Sequence, residues 1–217
     1  MAPPFRDRAD AGKALAGVVG RLILDPNSLV LALPRGGVPV GFEVARALRT
    51  ELDVFLVRKL GLPGQEELAI GAIASGGVRV LNDSLIEELG LSRGVIDHLT
   101  ATAEDELKRG EELYRRGRPA LVVRDRTVIL VDDGLATGAT MRAASEALRL
   151  QEPARIVIAV PVAAKEIFDE FRASATEIIC LHTPKEFTAV GVWYEDFSQT
   201  SDDEVEALLA RATENRR

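Results

Sequence analysis

The sequence predicts an α/β fold: a mainly parallel five-stranded sheet flanked by helices, interrupted by a hairpin-plus-helices insertion and closed by a small C-terminal element. Two observations carry this. Short apolar runs alternate with stretches of helical periodicity, and two of those runs end in glycine-containing turns that open a helix. A third observation, the break in alternation between residues 60 and 126, defines the insertion.

Leu29-Val-Leu-Ala-Leu33 is the first run, of the kind found in a strand buried on both faces. Gly36-Gly37 follows, then a helical stretch to about Arg49. Val54-Phe-Leu-Val57, Thr127-Val-Ile-Leu-Val131, Ile156-Val-Ile-Ala-Val160 and Glu177-Ile-Ile-Cys-Leu181 supply the other four strands. Met141, Ala144, Ala147 and Leu148 form the apolar stripe of a helix after the third, and another helix is expected near Ala163 to Phe171. In such sheets ligands gather beyond the carboxyl ends of the strands, where both glycine-containing turns lie.

Within the insertion, Ala69–Ala74 and Val78–Leu81 flank Ser75-Gly-Gly77, a hairpin signal. Ser84 and Glu87 match a capping box, and a long helix is expected from about Ser92 to Arg116 with Ile96, Leu99, Ala103 and Leu107 on one face. Residues 60–126 therefore read as either a flexible arm that acts as a lid or a packed helical subdomain, inside one domain spanning 1–217. Phe187 to Thr200 concentrates Trp193, Tyr194 and Phe197 in a chain that is 5% aromatic, and Ser201-Asp-Asp-Glu204 opens a last helix with another capping box.

The chain has 217 residues, 47% of them hydrophobic and 28% charged, ordinary values for a globular protein. Its net charge of −7 argues against a general nucleic-acid binder, which needs a basic face, but not against a small phosphorylated ligand. Cys180 is the only cysteine, so the simplest expectation is a reducing, intracellular setting. No apolar stretch approaches the roughly 18 residues of a membrane span, and no targeting segment is evident, so the chain reads as cytoplasmic.

The chemistry concentrates in Val128-Ile-Leu-Val-Asp-Asp-Gly-Leu-Ala-Thr-Gly-Ala-Thr140. It follows a strand and opens a helix, whose N-terminus presents unpaired N–H groups and partial positive charge. Ala136, Gly138 and Ala139 let an anion approach that backbone, and Thr137 and Thr140 add hydroxyl donors; this is a phosphate cradle, without the lysine of a Walker loop. Asp132 and Asp133 would repel a bare phosphate, but suit sugar hydroxyls or a cation. A ribose 5-phosphate satisfies both halves. His98, His182 and Cys180 show neither metal spacing nor a nucleophile–base pattern.

This segment resembles the 5-phosphoribosyl-1-pyrophosphate (PRPP) signature of the type I phosphoribosyltransferases, and Leu135-Ala-Thr-Gly138 is close to the form seen in adenine and uracil enzymes. Leu33-Pro-Arg-Gly-Gly37 stands where the family places its pyrophosphate loop, Arg58-Lys59 resembles the segment after its second strand, and Phe187 to Phe197 resembles the hood of hypoxanthine-guanine enzymes. The order and spacing cover most of residues 29 to 200, and the whole is most similar to the uncharacterised "predicted phosphoribosyltransferase" branch.

The resemblance implies transfer of 5-phosphoribose from PRPP to a nitrogen acceptor, a nucleobase, with release of pyrophosphate and with Mg2+ as cofactor. The other reading is a PRPP- or nucleotide-binding regulatory protein on the same fold without turnover. Arg35, Gly36, Gly37, Arg58 and Lys59 would bind pyrophosphate, although Arg58 and Lys59 also suit solvated charges. Residues 183–200 would form a small hood in which Trp193 and Tyr194 either stack on the base or pack in the core, and Asp196 either helps hold magnesium or is a solvated acid. Ala136 occupies the position of the acid/base Asp of hypoxanthine-guanine enzymes, so Glu66 or Glu67, as in adenine enzymes, is the candidate, with a surface carboxylate as the alternative. No nucleic acid or membrane is expected as partner, and the family's habit implies a homodimer.

Overall fold

The computed structural model describes residues 4–62, 65–174 and 177–214, with residues 65–68 as backbone only. The chain divides into two compact units: Met1–Val54 with Val123–Gly138 and Pro153–Arg217, and Phe55–Val122 with Ala139–Glu152.

The first unit is built on a five-stranded, all-parallel sheet. Its strands are β1 (Ser28–Ala32), β2 (Glu51–Val54), β6 (Thr127–Val131), β7 (Arg155–Val162) and β8 (Glu177–His182), in the order β2-β1-β6-β7-β8. β1 and β6 are buried at every residue, which is why their sequences run apolar instead of alternating. Helices α1 (Arg8–Leu22), α2 (Gly37–Leu48), α6 (Lys165–Ala173) and α7 (Asp202–Glu214) complete the unit. α1 packs on α2, β7 and β8, and α2 on β1, β2 and β6. Register pairs Ala32 with Val131 at the carboxyl ends of β1 and β6, so the turns that follow these strands emerge side by side.

The second unit is a three-stranded antiparallel sheet, β3 (Val57–Leu62), β4 (Gln65–Ala74) and β5 (Val78–Leu81), with α3 (Asp83–Glu88), α4 (Arg93–Tyr114) and α5 (Ala139–Arg149). Its core gathers Leu56, Leu60, Ile70, Ile73, Ala103 and Leu107, with Ile96 and Leu99 packed against it, so the predicted apolar face of α4 is the buried one. The hairpin turn at Ser75-Gly76-Gly77 uses positive φ at both glycines, 89° and 72°. α5 packs on β3, β4 and β5.

Two expectations change, and one helix is new. The run 54–57 is not one strand: β2 ends at Val54, β3 begins at Val57, and Phe55 and Leu56 connect two different sheets. All four residues are buried, so burial stays continuous while the pairing partner switches. α3 is capped by Asn82, whose Oδ1 accepts from Leu85 N at 3.1 Å and from Ser84 Oγ at 2.8 Å, so Ser84 lies inside the helix and is not its cap. α1 was not anticipated; its alanines and glycines give little contrast between faces. The Ser201 cap stands as expected, accepting from Glu204 N at 3.1 Å. Among the described residues no helix is long and apolar enough to cross a membrane.

Candidate functional site

The turns after β1 and β6 meet in the first unit. Leu33 N donates to Val131 O at 2.9 Å and Gly37 N to Leu33 O at 3.0 Å, which lays the Pro34-Arg35-Gly36 turn along the start of the 132–138 loop. The Pro34–Arg35 peptide bond is cis. A Cβ on Gly37 would stand 2.8 Å from Val131 O and 3.0 Å from Asp132 Cα, and one on Gly36 would overlap Asp133 Oδ2. Gly36 has ordinary helical dihedrals (φ −59°, ψ −32°), so space and not conformation demands glycine there.

The two acids sit side by side, with Asp133 N donating to Asp132 Oδ1 at 2.8 Å. Burial, then the charge of Asp133, pushes the Asp132 carboxyl well above the ordinary carboxylate range. Burial also raises Asp133, against the opposing hydrogen bond and charge of Arg8. Arg8 Nε donates to Asp133 Oδ2 at 2.8 Å, and Tyr194 OH donates to Asp133 O at 2.6 Å. Beyond the acids, Leu135 is stitched to the end of β7: its N donates to Val162 O and its O accepts from Ala164 N, both at 2.9 Å. Ala136 and Thr137 are exposed, Gly138 takes φ +69°, and α5 begins at Ala139, with Thr140 exposed in its first turn. The loop is thus held at Leu135 and exposed at Ala136 and Thr137.

Other candidate residues are dispersed. Arg35 is partly exposed, with Nη1 3.6 Å from Asp202 Oδ1. Arg58 and Lys59 belong to the second unit and, as neighbours on β3, point to opposite faces. Arg58 Nε lies 3.5 Å from Glu106 Oε2 on α4, while Lys59 and Ala139 line a cleft of about 680 Å³ with Arg142 and Glu146. Glu66 and Glu67 lie on β4, their side chains outside the described residues. Trp193 and Tyr194 are 9% and 6% exposed, packed with Phe5, Ala11 and Val162, and His182 stacks on Trp193 at 5.5 Å. The core-packing alternative is thus where the structure puts both. Asp196 is exposed, and its carboxyl, held below the usual range by the Ser198 N–H it accepts at 2.9 Å, caps its own turn. Among the described residues no three acids, histidines or cysteines gather into a metal cluster. Burial pushes the Cys180 thiol up to about 12, so it is no nucleophile.

Sequence reasoning missed Arg8, which lies 125 positions from its partner Asp133. The available signal was Asp7, which caps α1 by accepting from Asp10 N at 2.7 Å and so places Arg8 at a helix start.

A parallel sheet whose β1 and β6 turns set close-packed glycines against paired carboxylates, followed by an exposed turn at Ala136 and Thr137, defines a class of protein. The phosphoribosyl transferase domain family matches residues 9–195, and the chain belongs to that family. It is 48% identical over 208 residues to "Putative phosphoribosyl transferase Rv0571c" of Mycobacterium tuberculosis strain H37Rv, and equally to its counterpart MT0597 in strain CDC 1551. That alignment covers 96% of this chain but 47% of each relative, so the chain spans about half the length of the curated relatives it matches. The solved structure of TT1426 from Thermus thermophilus superposes with a TM-score of 0.87 at 44% identity, covering 96% of this chain and 98% of that one. AQ2163 from Aquifex aeolicus, at TM-score 0.52 and 11% identity over 85% of this chain and 78% of its own, shares the fold.

Proposed function

We propose that this protein binds PRPP with Mg2+ and transfers its phosphoribosyl group to a nitrogen nucleophile, with a nucleobase as the acceptor class and pyrophosphate as the product. The observation that carries the reading is the close approach of Gly36 and Gly37 to Asp132 and Asp133. It sets backbone able to face an anion directly beside carboxylates able to hold sugar hydroxyls.

In this reading Asp132 and Asp133 accept hydrogen bonds from the ribose hydroxyls, the 136–140 segment takes the 5′-phosphate, and the Arg35–Gly37 turn faces pyrophosphate. Arg58 and Lys59, which belong to the second unit, are the further cations assigned to pyrophosphate. The protein's contribution is positioning, charge stabilisation and exclusion of water around a sugar carbon that becomes cation-like as pyrophosphate leaves. Mg2+ fits the donor set: two half-buried carboxylates with raised proton affinity gain from a cation, and magnesium is commonly held by one or two carboxylates together with substrate phosphates. Asp132 and Asp133 are its candidate holders, and the ion would supply charge neutralisation on the departing pyrophosphate. Asp196 is not assigned to it, because its carboxylate is occupied by its own turn. A homodimer in the cytoplasm accompanies the proposal, and light scattering on the purified chain tests the oligomer.

The test incubates the protein with PRPP, Mg2+ and a panel of nucleobases and follows pyrophosphate release. Turnover with one base establishes the transferase; saturable PRPP binding without turnover on any base turns the reading towards a regulator; no PRPP binding by calorimetry removes it. The double variant Asp132→Asn/Asp133→Asn should weaken PRPP binding, and unchanged affinity would contradict the ribose assignment.

A further inference from the structure

Arg8 is held from four directions. Its Nε donates to Asp133 Oδ2 at 2.8 Å, its Nη1 donates to Ser198 O at 2.7 Å, and its guanidinium lies 3.9 Å from the centroid of Phe197. A Cβ on Gly36 would stand 3.2 Å from Arg8 Nε, so the side chain also borders the glycine turn. The Arg8 and Asp133 side chains are only 12% and 16% exposed. The strand-like segment before it is tied to the C-terminal aromatic segment: Phe5 N donates to Trp193 O and Glu195 N to Phe5 O, both at 2.7 Å, and Asp196 N donates to Arg6 O at 2.9 Å. A guanidinium with several fixed donors and an aromatic platform is a rigid anchor, not a mobile surface charge.

Arg8 occupies one oxygen of Asp133. Resting on the PRPP reading above, we infer that Arg8 is a positioning residue that fixes the Asp133 carboxylate by Oδ2, holds it in place for a ribose hydroxyl, and couples it to the Phe197–Ser198 segment.

The test is calorimetric titration of PRPP with Mg2+ into wild type, Arg8→Gln and Arg8→Lys at neutral pH, beside a thermal melt of each. Arg8→Gln should bind on the order of tenfold more weakly. Arg8→Lys should recover part of the affinity, since it restores the charge but not both donors. Wild-type affinity in Arg8→Gln overturns the inference, as does a loss of affinity that only follows the loss of Tm and that Arg8→Lys does not relieve, which marks a merely structural role. Failure of the wild type to bind PRPP removes the reading on which this rests, and is told apart by appearing without any substitution.

Discussion

Gly36 and Asp133 are packed so closely that a Cβ on the glycine would stand 2.8 Å from the carboxyl carbon of the acid. The glycine's backbone is one that any residue adopts, so the constraint is the neighbour and not the dihedral. Gly36→Ala must therefore displace either Asp133 or the 34–36 turn. Overpacking of this kind costs about 1–3 kcal/mol, and PRPP affinity should fall at least about tenfold with it, since both displaced groups belong to the proposed site. Gly77→Ala is the control: it is strained at φ +72° yet meets nothing within 4 Å, so it should lower Tm without altering ligand binding. Equal ligand affinity for Gly36→Ala and wild type would separate the glycine turn from the site.

The Tyr194 hydroxyl donates to the Asp133 carbonyl at 2.6 Å inside an apolar cluster, with the side chain 6% exposed. Burial raises its phenol far above the ordinary value, so it remains a neutral donor at all working pH. Tyr194→Phe leaves a part-buried carbonyl short of its donor and should cost about 1–2 kcal/mol, seen as a Tm lower by roughly 2–4 °C per kcal/mol. The same bond holds the backbone of the acid pair, so PRPP affinity should fall with it. A variant as stable as wild type would show that the bond contributes nothing.

The sheet was legible because β1, β6 and β7 are buried and write burial directly into apolar runs. β2 was not, because Glu51-Leu-Asp-Val54 is half polar while the adjacent Phe55 and Leu56 carry the stronger apolar signal. The acid pair and the glycines were legible because they are contiguous in the chain. Arg8 was not, since a lone arginine before an Ala-Gly helix carries no signal until the fold brings it to Asp133. Trp193 and Tyr194 show the limit of composition: an aromatic concentration looks the same whether its rings face a ligand or one another, and here they pack with Phe5 and Val162.

The second unit has its own core, in which Leu107 of α4 is 5% exposed among Leu56, Leu60, Ile70 and Ile73. Leu107→Ala should cost about 2–4 kcal/mol. Amide hydrogen exchange should lose protection first in β3, β4 and α4, while amides of β1 and β6 keep theirs. Loss of protection to the same extent in all five elements would mean that the two cores unfold as one.

Asp132 gives the pH dependence of the fold a definite sign. Its carboxyl is raised well above the ordinary range by burial first and by the charge of Asp133 second. Between the ordinary carboxylate value and the raised one, the folded chain holds a proton that the unfolded chain has released. Stability from this group is complete below the unfolded value and is lost as pH rises through the folded one. Asp132→Asn has no charge to bury, so it should be more stable than wild type at neutral pH, with a Tm gain of about 2–4 °C for each kcal/mol relieved. That gain should shrink as the pH falls towards the ordinary carboxylate value, where wild type also carries a neutral side chain. Thermal melts of both proteins across this range check the sign, and a gain that grows on acidification would contradict it. The same substitution should weaken PRPP binding, because the destabilising charge is the one offered to the ribose: the fold tolerates an acid pair there at the expense of its own stability.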